Sequence, residues 1–143
     1  MLVNGHGGNL DAVTAAAAIV AGEQRRMLPW WPSLPDDAGL RADLRSDVHA
    51  GHIETSVLLA IDPGLVRADP TSIEPVVADA ADLARIRARG VLSVSPSGVL
   101  GDARHASATA GAALVDAWVD DLVQAVRRWA PQATDAPGTT TRR

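Results

Sequence analysis

Leu2-Val3, Asn4-Gly5-His6-Gly7-Gly8-Asn9 and the alanine-rich run from Leu10 to Gly22 decide the fold class. Leu2 and Val3 suit a buried strand. The six residues after them form a tight polar loop. Asn9 is a good N-cap for a helix over Leu10 to Gly22, since alanine is the best helix former. Gly22 is a plausible stop. Strand, loop and helix in this order are the building block of α/β folds. A domain rarely opens on the last residues of a core strand, so the sequence is expected to begin mid-domain.

Outward from this unit the pattern continues. Arg25 to Trp31 is a candidate strand, weakened by Pro29. Pro32 through Ser46 reads as a loop. Ala50 to Ile61 reads as a second helix, ended by Asp62-Pro63-Gly64. Asp69 to Pro75 is turn-like. Val76 to Arg89 has helical spacing, a basic end and Gly90 as a stop. Val91 to Val94 is expected as a short strand, and Ser95 to Asp102 as a loop.

The last helix is the clearest. Val115, Trp118, Val119, Leu122, Val126 and Trp129 recur at spacings of three and four, which makes one apolar stripe. Asp116, Asp120 and Asp121 lie toward its middle. Arg127 and Arg128 suit the dipole at its end, and Pro131 stops it. The polar remainder, residues 131–143, is expected to be a disordered tail, with 1–130 as the folded part.

Composition narrows the function classes. There is no Cys, which excludes disulfides, thiolate metal sites and a Cys nucleophile. The net charge is −4 with both signs interspersed, so no basic stripe invites nucleic acid. No apolar run approaches the ~20 residues that span a bilayer. The start lacks a basic region followed by an apolar stretch, so it does not read as a signal peptide. A cytoplasmic protein with no nucleic-acid or membrane partner is the expectation. The chain has no Gly-x-Ser-x-Gly elbow, no phosphate loop and no His-Glu-x-x-His. Ser56 and Ser95 have no credible base.

Two segments can carry chemistry. His6 stands where a strand ends in a loop of three glycines, the edge at which open α/β sheets place their sites. Glycine there permits positive φ and removes bulk. His6 reads as a metal ligand, as an exposed histidine in an ordinary turn, or as part of an anion-binding loop. The second segment, Asp47-Val48-His49-Ala50-Gly51-His52-Ile53-Glu54-Thr55-Ser56, packs two His and two acids into eight positions. Glu54 adjoins Ile53, Val57, Leu58 and Ile61 on a helix, and a carboxylate among them needs a partner, a proton or a metal. The alternative is that Glu54 faces solvent and His49 caps the helix. A neutral imidazole at His49 can bind a metal or accept a proton. His52 reads as a rim residue and His105 as a surface one. His6 and Glu54 are two ligands, where a catalytic divalent site usually has three.

These segments, in this order, resemble the creatininase family. Its members carry an Asn-Gly-His-x-x-Asn loop and, further on, His-Ala-Gly-x-x-Glu-Thr-Ser; here these are Asn4 to Asn9 and His49 to Ser56. A third match is Gly98-Val99-Leu100-Gly101-Asp102. The closer likeness is to the mycofactocin-system peptidase branch. It extends to Trp30-Trp31-Pro32, the run from His49 to Leu59, Pro63, Val66-Arg67, Asp69, Val94-Ser95 and Arg128-Trp129.

The resemblance implies a three-layer α/β/α fold, here incomplete, with the N-terminal half missing and residues 1–130 as the C-terminal part of the domain. It implies a metal-dependent amide-bond hydrolase, in the nearer branch a peptidase that removes a C-terminal dipeptide from a precursor peptide. By this likeness His6 and Glu54 are metal ligands, and His49 sits beside the scissile carbonyl. The metal would be Zn, Fe or Mn, and the full-length form a homo-oligomer, often a hexamer. Creatinine-hydrolysing members carry acids where Gly8 and Val48 stand here, which argues against creatinine as substrate. The family's upstream Glu-x-His pair and Asp have no match. The chain alone is therefore expected to be inactive. The other readings are an enzyme acting on another small cyclic amide, and a non-catalytic remnant that associates with a full-length homologue.

Overall fold

Two strands joined through a helix set the first part of the architecture. The computed structural model describes residues 1–34 and 47–130. Strand β1 (Leu2–Val3) pairs in parallel with β2 (Pro29–Trp30), with Leu2 opposite Pro29 and Val3 opposite Trp30. Leu2 N donates to Leu28 O at 2.8 Å, and Asn4 N to Trp30 O at 2.8 Å. Leu28 and Trp30 therefore turn their backbone groups toward β1, and Pro29 turns its own away. The missing proline N–H costs this ladder nothing, so the strand survives its proline. It is shorter than the Arg25 to Trp31 span that the sequence suggests.

Parallel strands need a crossover, and α1 (Leu10–Gly22) supplies it. The helix occupies the expected residues, but its ends are made differently. A 3₁₀ turn at Gly7–Asn9 leads into it, so Asn9 already has helical φ and ψ and makes no side-chain cap bond. Gly22 lies inside the last turn. The chain leaves the helix at Gln24, whose φ is 56°. Gln24 N donates to Ala21 O at 3.0 Å and Arg25 N to Val20 O at 3.1 Å. This is the paired closure of a left-handed helix end, with Gln in the usual glycine place.

The described residues divide into two compact units: residues 1–33 with 118 onward, and residues 34–117. The last helix, α4 (Ala108–Trp129), is divided between them. In the first unit, tryptophans tie β2 and the chain on either side of it to the C-terminal half of α4. Trp30 Nε1 donates to Asp121 Oδ2 at 2.7 Å, and Trp118 Nε1 to Ser33 O at 2.8 Å. The Arg26 guanidinium lies 5.5 Å from the centre of the Trp129 ring, within cation–π range.

The second unit holds α2 (His52–Ile61), α3 (Ala80–Arg89) and the first half of α4. Its core is Val99, Leu100, Ala103 and Leu114, with Ser56 and Ser95 fully buried among them. Ser56 Oγ accepts from Ser107 N at 3.1 Å, and Ser95 Oγ meets Ser97 Oγ at 3.1 Å. Asp79 and Asp82 form a reciprocal capping box that starts α3, and Gly90 at φ 80° ends it. This box explains why the helix begins at Ala80 and not at Val76. Val76 instead makes an antiparallel bridge with Gly101. Val91 to Val94, expected as a strand, is a 3₁₀ turn at Val91–Ser93 whose Ser93 N bonds to Gly90 O at 3.1 Å. Helix α4 (Ala108–Trp129) is longer than its apolar stripe suggested. Val119 on that stripe is exposed. The loop expected through Ser46 and the tail expected from residue 131 lie outside the described residues, apart from residues 32–34.

A parallel pair within a mixed helical frame is the α/β class expected from the sequence. Among the described residues no helix is long and apolar enough to cross a membrane.

Candidate functional site

The loop after β1 is organised by one buried amide. Asn4 is 7% exposed. Its Nδ2 donates to His6 O at 2.9 Å, and its Oδ1 accepts from His6 N at 3.4 Å and Asn9 Nδ2 at 3.3 Å. Asn9 N also donates to His6 O, at 3.1 Å. A single side chain thus bonds both backbone groups of His6 and fixes where the loop turns. His6 itself is extended in φ and ψ and exposed. The glycines beside it do not adopt positive φ. Gly8 has a different use: a β-carbon there would stand 2.8 Å from His6 Nε2 and 3.1 Å from Cδ2. The ring lies over Gly8, and any larger side chain there would push the ring aside.

The second segment belongs to the other unit. Val48 N and His49 N both donate to Leu100 O, at 2.8 and 3.0 Å, and Leu100 N returns a bond to His49 O at 2.7 Å. This bridge to a fully buried residue anchors His49. Ala50 then takes φ 52°, and the chain turns sharply into α2 with Gly51 at the cap position. Gly51 has no side chain to cap with, so acids before and after it do the work. Glu54 Oε2 accepts from Ala50 N, and Asp47 Oδ2 accepts from Ile53 N at 2.6 Å. The turn holds Glu54 Oε2 3.5 Å from His49 Nδ1, with the two side chains 46% and 40% exposed.

Asp47 has no assigned role in the sequence reading. Its Oδ1 is buried and has no hydrogen-bond partner among the described residues. Burial pushes its carboxyl pKa up, against the opposing pull of the Ile53 N–H and His52; Glu54 and Asp102 raise it further. On the same side of the unit, Arg104 holds the Asp102 carboxyl well below the ordinary range, with Nε at 2.8 Å from Oδ1 and Nη2 at 2.7 Å from Oδ2. The sequence signal for Asp47 is weak, because its bond spans six residues across a left-handed turn.

The structure therefore brings His49 and Glu54 together. His6 lies in the first unit and stands with Asn4, Gly8 and Asn9. His52 is half-buried in the first turn of α2, and His105 is exposed. Among the described residues, no group of three or more His, Cys, Asp or Glu is gathered that could hold a metal. A carboxylate oxygen beside an imidazole can orient the ring toward a reacting group. That is the chemistry this pair can perform.

The family model described as creatinine amidohydrolase matches residues 1–126. The chain is similar to the mycofactocin precursor peptide peptidase of Mycobacterium ulcerans, at 41% identity over 133 residues. It is 40% identical over 136 residues to that of Mycolicibacterium smegmatis and 39% over 132 residues to that of Mycobacterium tuberculosis. Each alignment covers 92% of this chain and 49% of the relative, so the chain spans about half the length of the curated relatives it matches. No solved structure matches it. With a family match over most of its residues, the chain belongs to the creatininase family.

Proposed function

We propose that this chain is part of a metal-dependent amide-bond hydrolase that acts on a precursor peptide and removes its C-terminal dipeptide. The observation that carries the reading is the His49–Glu54 pair, held at 3.5 Å on a bridge to the core and half exposed to solvent. The names of the relatives, precursor peptide peptidases, support the substrate class.

In this reading His49 acts at the scissile carbonyl. Glu54 holds one edge of the imidazole through Nδ1, and the opposite edge, Nε2, offers the carbonyl oxygen a hydrogen bond as negative charge develops there. Water adds to the carbonyl carbon, the C–N bond breaks, and the leaving amine takes a proton. His6 and Glu54 are the residues assigned to a divalent ion, Zn, Fe or Mn. They do not make a complete set, because a catalytic site takes about three protein ligands and the described residues gather no such group. No step is assigned to the ion on this chain. The remaining ligands would come from polypeptide outside these 143 residues, and the working protein would be a cytoplasmic homo-oligomer.

That same shortfall favours a second reading, in which the chain is a non-catalytic partner of a full-length homologue. Incubating the purified chain with a precursor peptide, alone and mixed with a full-length relative inactivated at its own counterpart of His49, tests both. The first reading expects dipeptide release that is lost in His49→Ala, Glu54→Gln and His6→Ala once the ligand set is complete. Release that is indifferent to all three substitutions removes it.

A further inference from the structure

We infer that Asp47 is a positioning residue for the His49–Glu54 pair, a role that rests on the hydrolase reading and assigns a function to a carboxylate outside that pair. Three observations converge on it. The first is connectivity. Asp47 Oδ2 takes the Ile53 N–H at 2.6 Å, and Glu54 Oε2 takes the Ala50 N–H. The two acids therefore close the two sides of one turn. Ile53 and Glu54 are adjacent, so the bond that fixes Ile53 also fixes the root of the Glu54 side chain.

The second observation is the shape around the carboxylate. Asp47 Oδ1 lies between two glycines from distant parts of the chain, Gly51 and Gly101. A β-carbon on either would overlap that oxygen, and one on Gly51 would also stand 3.1 Å from the Gly101 Cα. Gly101 has φ 147°, a conformation that other residues rarely adopt. Two backbones are thus brought close around one oxygen, and each gives up a side chain to do so.

The third is cost. An N-cap needs only a hydroxyl or amide oxygen. Here a carboxylate is used with one oxygen buried and unpartnered among the described residues, against a desolvation penalty that shows in its raised pKa. The turn it holds puts Ala50 in the left-handed region, at φ 52°. A strained residue persists where its surroundings over-determine it. Ala50, with Gly51, joins His49 to the helix that carries Glu54. Relaxing it would swing the two functional side chains apart.

Hydrogen exchange of the Ala50 amide reads this directly, because that N–H is held by Glu54 and not by Asp47. In Asp47→Ala the proposal expects Ala50 protection to fall about tenfold, with the Gly90 amide, bonded to Ile86 O at 2.8 Å, unchanged. Asp47→Asn keeps an oxygen for Ile53 and is expected to restore most of the Ala50 protection. Asp47→Glu, too long for the two-glycine cradle, is expected not to. Loss of Ile53 protection with Ala50 unaffected would make Asp47 a plain cap and overturn the role. If Asp47→Ala also loosens Gly90, the comparison of Asn with Glu decides: equal Ala50 protection in the two overturns it. Peptide release measured on the same samples, each mixed with a full-length relative inactivated at its own counterpart of His49, separates this from the hydrolase reading. Inactive wild type with the Ala50 response present defeats the hydrolase reading alone. Active wild type in which Asp47→Ala keeps its kcat defeats the positioning role alone.

Discussion

Gly111 of α4 lies against the backbone of Ser56 in α2, so closely that a β-carbon on Gly111 would overlap the Ser56 carbonyl. Ser56 is wholly buried, and its Oγ accepts from Ser107 N at 3.1 Å, just before α4 begins. The crossing is therefore a backbone-to-backbone contact, braced by a side-chain bond, with nothing flexible to yield. Gly111→Ala is expected to destabilise the second unit by about 1–2 kcal/mol, in spite of the better helix propensity of alanine, since overpacking against backbone at the upper end of about 1–3 kcal/mol outweighs the ~1 kcal/mol that Ala contributes in a helix. The urea midpoint checks this. A midpoint equal to or above wild type would show that the helices are not this close.

Two neighbouring glycines should behave oppositely in the first loop. A β-carbon at Gly7 meets nothing within 4 Å, whereas one at Gly8 meets the His6 ring at 2.8 Å. Gly7→Ala is expected to leave the His6 side-chain NMR signals unchanged, and Gly8→Ala to move them. Stability should change by less than about 1 kcal/mol in either, because the loop is exposed. Similar His6 shifts in the two variants would mean that the ring does not rest over Gly8.

These loops show which kind of information a sequence exposes. The body of helix α1 was legible because an alanine run is a local signal. Its ends were not, because the 3₁₀ turn redirected Asn9 to Asn4 and Gln24 took the place expected of Gly22. The helix expected from Val76 lost its first turn to a capping box and to a bridge with Gly101, a residue 25 positions on. In the candidate site, His49 and Glu54 were legible as residue types gathered in one short segment. The bridge to Leu100 and the cradle of Gly101 around Asp47 were not, since both are made by chain some 50 residues away. Glu54 also illustrates a competition: it was read among apolar neighbours and is instead turned back to the Ala50 N–H.

The pH dependence of stability should contain two opposed contributions. Burial raises the Asp47 carboxyl above its ordinary 3.8, so the folded chain holds that proton to higher pH than the unfolded chain. Stability is then lost as pH rises from about that value through the folded pKa. Asp102 is the reverse: Arg104 lowers its pKa, so its contribution is present above the ordinary range and lost as pH falls. Over a scan from about pH 2 to about pH 6, Asp47→Asn is expected to gain on wild type as pH rises above about 4, and Asp102→Asn to lose ground as pH rises from the acid end to about 4. Thermal midpoints across that range test both. Parallel curves for the two variants would contradict the assignment.

Metal binding is the sharpest test of how much of the site this chain holds. Two candidate ligands, His6 and Glu54, fall short of the three that a catalytic divalent ion usually takes, and the described residues gather no larger group. Glu54 also already accepts from Ala50 N and lies 3.5 Å from His49 Nδ1, so an ion would have to compete for Oε2 or use Oε1. The purified chain should therefore retain less than one tightly held Zn, Fe or Mn after dialysis against a weak chelator, as measured by elemental analysis. Stoichiometric, chelator-resistant metal on the isolated chain would mean that residues 1–143 already contain a complete set of ligands. The reading of His6 and Glu54 as two members of a larger set would then have to be given up.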